Sequence, residues 1–114
     1  MAGRLQRRAR EGRAPAVAAA AYHVYVIGLD DSQRREGDRG AVYVGQSVRT
    51  PEERFAQHLA GHRAARVVHR HGRHLRKRLY QRYNPLGSRV AAEEKERELA
   101  AELRERGYTV YGGH

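Results

Sequence analysis

Arg54 and His58 stand four residues apart, directly after Thr50-Pro51-Glu52-Glu53. On a helix that spacing puts both side chains on one face, within reach of the same point. A guanidinium beside an imidazole can stabilise negative charge on a phosphate and assist a proton transfer. Further on, Glu93, Glu94, Glu96, Glu98, Glu102 and Glu105 crowd one stretch with Leu99 and Leu103. Glu96 precedes Leu99 by three and Leu103 by seven, on the same helical stripe, whereas Glu94 points to the opposite side. A carboxylate facing inward carries a desolvation cost unless a cation or hydrogen-bond donors meet it. A basic groove beside one such carboxylate is what metal-assisted phosphodiester chemistry needs.

The basic groove has an evident source. The chain of 114 residues carries 23 Lys plus Arg against 13 Asp plus Glu, a net charge of +10 before any of its 7 histidines protonates. From Arg54 to Ala92 there is no acid at all, while Arg54, Arg63, Arg66, Arg70, Arg73, Arg76, Lys77, Arg78, Arg82 and Arg89 fall inside. A solvated basic face is the bland explanation. Cations gathered without a counter-charge repel one another, and a polyanion relieves that repulsion, so Arg63, Arg66, Arg70, Arg73, Arg76, Lys77 and Arg78 are the expected nucleic-acid contacts. Only Lys77 and Lys95 are lysines, so the charge is carried by forked guanidiniums suited to bidentate phosphate contact.

Positioning these groups takes one domain, since a chain this short builds a single core. Residues 1–21 differ from the rest. Arg4, Arg7, Arg8, Arg10 and Arg13 precede an alanine-rich run, which reads as a flexible basic arm. A twin arginine before small residues also has the outline of an export signal, but the apolar part is short and runs straight into the first strand. Tyr22 to Gly28 and Ala41 to Gly45 are strand-forming runs, separated by a polar loop and most simply antiparallel. Thr50, Pro51 and Glu53 start a helix that stops at Gly61. A second helical stretch, Ala64 to His71, ends at Gly72, where a left-handed cap is natural. His74 to Tyr80 alternates as a third strand, and Asn84 to Gly87 is a turn. Ser88 caps a terminal helix reaching Arg106, with Tyr108 to Tyr111 as an extended tail. The expected class is α+β, one unit of strands and helices in residues 22–114.

Cysteine is absent, which excludes disulfides, thiolate zinc sites and cysteine nucleophiles. His69, His71 and His74 lie close in sequence, but the first two point to different helix faces and Gly72 intervenes before the third, which argues against a zinc site. No apolar run approaches the roughly 20 residues a bilayer requires. The expected setting is cytoplasmic, with no membrane partner.

Tyr25-Val26-Ile27, then Val42-Tyr43-Val44-Gly45-Gln46-Ser47, then Glu53-Arg54-Phe55 and His58, resemble the motifs of the GIY-YIG nuclease superfamily. The resemblance runs from about Tyr22 to the C-terminus, and Val42 to Ser47 is its most specific part. It implies a small three-stranded antiparallel sheet flanked by helices, and an endonuclease hydrolysing DNA phosphodiesters, with RNA as the alternative substrate. Tyr25 and Tyr43 become the paired motif tyrosines, one of them the general base. Arg54 becomes the arginine at the scissile phosphate and His58 its neighbour one turn on. The superfamily also has a metal-binding glutamate on a later helix. The inward stripe selects Glu96 for it, with Glu93 next on the flank. One oxygen ligand plus waters suits Mg2+ or Mn2+. With nearly the whole chain used by this unit, target choice is expected to come from nucleic-acid structure or from a protein partner. A non-catalytic nucleic-acid-binding module with the same fold is the alternative.

Overall fold

The computed structural model describes residues 21–114, so the basic arm, apart from Ala21, lies outside the described residues. Strand β1 is His23–Leu29 and strand β2 is Gly40–Ser47, rich in the β-branched and aromatic residues that favour a half-buried pleat. They pair antiparallel with Tyr25 opposite Gly45 and Ile27 opposite Tyr43. Helix α1, Pro51–Ala60, begins at a full capping box: Thr50 accepts from the Glu53 amide and Glu53 accepts from the Thr50 amide, each at 3.1 Å. Helix α2, Arg66–His71, leads directly into strand β3, Gly72–Leu75, antiparallel to β1. Helix α3, Arg89–Glu105, is capped by Ser88, and strand β4, Tyr108–Gly112, follows it.

Three expectations are corrected here. The sheet is mixed and four-stranded in the order β3-β1-β2-β4, and β4 runs parallel to β2 with Tyr111 opposite Tyr43. A parallel pair needs a long crossover connection, and α1 through α3 supply it. The supposed tail is therefore a strand. The third strand is also earlier and shorter than the alternation of Leu75, Lys77 and Leu79 implies. The Arg76 amide still donates to the Val26 carbonyl at 2.8 Å, after which the chain enters 3-10 turns at Lys77–Leu79 and Gln81–Tyr83. Those turns return Tyr80 to the core, where it is 3% exposed. Gly72 lies in the extended region with φ −67°, because it continues into β3 rather than closing a helix.

Val24, Val26, Val42 and Val44 are fully buried on one side of β1 and β2, while Tyr25, Ile27 and Tyr43 occupy the other. Helices α1 and α2 pack on β1 and β3; α3 spans β1, β2 and β4. Ala92, Glu96, Leu99, Ala100 and Leu103 form the buried stripe of α3. Among the described residues, no helix is long and apolar enough to cross a membrane.

Candidate active site

Four elements bring Tyr25, Tyr43, Arg54, His58 and Glu96 to one region. Register alone sets the two tyrosines on the same side of neighbouring strands, and their ring centroids lie 6.4 Å apart. His58, on the buried side of α1, closes the triangle. Its ring is edge-on to Tyr43 at 5.6 Å, and its Nε2 lies 3.0 Å from the Tyr25 hydroxyl. The Tyr25 ring tip lies directly over Gly45, where an added Cβ would stand 2.5 Å from the hydroxyl oxygen. A glycine in the second tyrosine segment is thus required by the first tyrosine.

Burial sets the protonation states. His58 is 1% exposed, and loss of hydration, aided by the Arg54 guanidinium, pushes its pKa down to about 4, so the ring is neutral at pH 7. Its Nδ1 sits 3.1 Å from the Ala65 amide, which can only donate. The hydrogen of the neutral ring therefore resides on Nε2 and is donated to the Tyr25 oxygen, leaving the Tyr25 O–H free for another partner. Burial raises the Tyr25 phenol well above its usual value, with nearby Tyr43 adding to the rise and Arg54 opposing it. Tyr43 is also raised, chiefly by burial and then by Glu96, with Arg54 again opposing. Arg54 favours the ionised form of both phenols.

Arg54 is held in place by two main-chain carbonyls and one side-chain amide oxygen. Its Nη2 donates to the Arg63 carbonyl at 2.8 Å, and its Nη1 donates to Gln57 Oε1 at 3.1 Å and to the His62 carbonyl at 3.4 Å. Arg63 reaches that position with φ 48°, the left-handed region, where it is alone among the described non-glycine residues. Strain of this kind persists where the surroundings over-determine it.

Glu96 is 7% exposed, and burial raises its pKa above the usual glutamate value. The backbone amides of His114 and Gly113 and the charge of His114 oppose that rise. The C-terminal residues reach it because Gly112 and Gly113 both have positive φ, 72° and 77°. A Cβ on Gly112 would strike the Val44 carbonyl, and one on Gly113 would strike the Ala100 side chain. The tail is thereby wedged between β2 and α3, against the residues that flank Glu96. Nothing in composition or periodicity points to this role; only the pair of adjacent glycines hints at it. Glu93, the second candidate, instead accepts from Arg89 at 3.1 Å on the flank of α3.

No group of three His, Asp or Glu side chains gathers as a metal-binding set among the described residues. A hard cation takes oxygen ligands, and among the described residues Glu96 is the one buried carboxylate, close to both phenols. Glu96 would hold it. The clustered histidines diverge: His69 approaches the His58 and Leu59 carbonyls, His71 pairs with Asp30 at 3.0 Å, and His74 lies over Gly28.

The basic residues line several grooves. Arg66 and Arg70 line a groove of about 550 Å³ beside Gly61 and His69, Arg73 lines one of about 440 Å³ with Asp30 and Asp31, and Arg76, Lys77 and Arg78 line a third of about 530 Å³. Arg63 is exposed. An acid-free stretch of sequence is not acid-free in space, since Lys77 pairs with Glu52 at 3.4 Å and Arg73 shares its groove with two aspartates. None of these grooves is lined by Tyr25, Tyr43, Arg54, His58 or Glu96, and the tyrosine cluster is a packed patch whose accessible rim is half-buried Tyr43 and Arg54.

Neither a family model nor a curated protein nor a solved structure matches the chain, so the functional reading rests on its own residues.

Proposed function

We propose that this protein is a metal-dependent endonuclease of the GIY-YIG type, hydrolysing DNA phosphodiester bonds and choosing its target by structure rather than by base sequence. The observation that carries this reading is the meeting of Tyr25, Tyr43, Arg54, His58 and Glu96, drawn from β1, β2, α1 and α3, around one point.

Tyr43 is half-buried and Tyr25 fully buried, so Tyr43 is the phenol placed to meet an attacking water. Tyr25 and His58 form the hydrogen-bonded backing that fixes it. The charge of Arg54 lowers the cost of ionising both phenols, and Arg54 offers its remaining N–H groups to a phosphate oxygen. A Mg2+ or Mn2+ ion on Glu96 would supply Lewis-acid stabilisation of the phosphate and of the leaving oxygen. The surrounding arginines supply sequence-independent affinity.

The test is a nicking assay on duplex, branched and single-stranded DNA and on RNA, with and without Mg2+. Wild-type protein should cut only with the metal. Tyr43→Phe, Arg54→Ala and Glu96→Ala should each abolish cleavage while retaining salt-sensitive binding, and full activity in all three would overturn the mechanism. The burial of Tyr25, His58 and Glu96 favours a second reading, a non-catalytic nucleic-acid-binding module, which requires binding without cleavage under any divalent metal.

A further inference from the structure

We propose that the groove around Tyr108 is a second nucleic-acid site, which grips the phosphodiester backbone of a single-stranded arm while a duplex lies at the Tyr43 side. This inference rests on the reading of the protein as a structure-selective nuclease.

The groove, about 530 Å³, is lined by Arg76, Lys77, Arg78, Arg82 and Arg106 around Tyr108, and no carboxylate lines it. Guanidiniums are stacked on the Tyr108 ring: Arg39 at 5.1 Å from the centroid and Arg76 at 5.7 Å. Arg76 Nη2 also donates to the Tyr108 hydroxyl at 3.4 Å. The ring is 8% exposed, so its faces serve cations rather than bases. Bare backbone makes the room. A Cβ at Gly28 would come within 3.3 Å of the Arg76 side chain, and the Tyr108 ring lies 3.6 Å from where a Cβ on Gly40 would be. Among the described residues no carboxylate pairs with Arg76, Arg78 or Arg82, and the pairs at Lys77 and Arg106 are solvent-exposed and worth little. Five cations in one open groove exceed what a single phosphate neutralises, and an extended polyanion fits them.

The position of the groove argues for a second segment of substrate. Tyr108 and Tyr111 are three apart on β4 and so face opposite sides of the sheet, and Tyr111 is the residue opposite Tyr43. The groove is therefore on the far side of the sheet from the tyrosine cluster. Along α3, Glu96 and Arg106 are ten residues apart, about 15 Å at ~1.5 Å per residue. A stiff duplex on the Tyr43 side cannot turn through the sheet within that distance, whereas a single strand can pass around the β3 edge.

The experiment measures binding by fluorescence polarisation without divalent metal, so that no substrate is cut. A linear DNA duplex is compared with the same duplex carrying a single-stranded DNA arm, and pyrophosphate serves as a free competitor. Wild-type protein should prefer the armed duplex by about tenfold. Arg78→Ala with Arg82→Ala, both exposed positions, should reduce that preference toward one and flatten the salt dependence on the armed substrate by ~0.7 per lost phosphate contact. An undiminished preference in the double variant, or no preference in the wild type, overturns the proposal. Pyrophosphate displacing the arm at equimolar concentration would make this a free-polyphosphate site and likewise overturns it. Cleavage is read separately: DNA cutting with an unchanged arm preference removes the groove and leaves the nuclease, and arm binding without cutting under any metal does the reverse.

Discussion

The oxygen of Tyr25 and Nε2 of His58 lie 3.0 Å apart, and the hydrogen between them belongs to the histidine. The Ala65 amide occupies Nδ1 and burial keeps the ring neutral, so His58 acts as a donor to the phenol and not as a base. The Tyr25 proton is left directed elsewhere.

Removing either phenol should then give different results. Tyr25→Phe leaves the Nε2–H of His58 buried without an acceptor, which costs about 1–3 kcal/mol. Tyr43→Phe removes the hydroxyl of a half-buried residue and should cost under about 0.5 kcal/mol while abolishing cleavage. Urea denaturation beside a nicking assay separates the two; equal stability losses would contradict the arrangement.

His58 also predicts an acid limb of stability. Its folded pKa, about 4, lies below the unfolded value of 6.5, so the unfolded chain binds the extra proton between those values. Stability from this group is complete above pH 6.5 and is lost as pH falls toward 4, by roughly 3 kcal/mol in total. His58→Gln should be less stable than wild type at pH 7 and should lack this component of the slope. Denaturation midpoints at half-unit pH intervals would show it.

Glu96 carries the opposite sign. Its folded pKa is raised, so the stability it contributes is present below the unfolded pKa and is lost as pH rises through the folded one. At pH 8 Glu96→Gln should leave the protein as stable or up to about 1 kcal/mol more stable, because a buried charge has been removed. Mn2+ should raise the melting temperature of wild-type protein, and the same variant should abolish that rise. A Mn2+ shift retained in Glu96→Gln would place the metal elsewhere.

Gly45 tests the packing of the cluster. An added Cβ would meet the Tyr25 hydroxyl at 2.5 Å and its Cζ at 2.6 Å, so Gly45→Ala must drive the buried phenol off His58. A loss of about 1–3 kcal/mol is expected from such overpacking, with cleavage falling at least tenfold. Wild-type stability and activity in this variant would mean that the ring has space to move.

Local elements were legible where a side chain and its neighbours in sequence decide the outcome. Thr50, Pro51 and Glu53 specify the start of α1, Gly61 closes it, and Ser88 begins α3, all by short-range hydrogen bonds. The inward placement of Glu96 also followed from helical period alone, since Ala92, Leu99 and Leu103 are buried with it. The end of β3 was not legible, because Leu75, Lys77 and Leu79 suit a strand while the chain turns at Arg76 to bury Tyr80. Nor was it legible that the acid-free stretch gains acids in space, where Asp30, Asp31 and Glu52 return to it through the fold.

By itself the sequence determined the helices, the two tyrosine strands, the strong positive charge and the face of α3 that carries a carboxylate, because each depends on residues within a turn or two of one another. Only the tertiary structure decided that Tyr108 to Gly112 is a parallel fourth strand, that the Ala65 amide selects the His58 tautomer, and that Gly113 lies against the Glu96 turn of α3. The physical reason is range. Pairing Tyr43 with Tyr111 joins residues 68 apart, and no local pattern encodes which distant backbone will supply the partner.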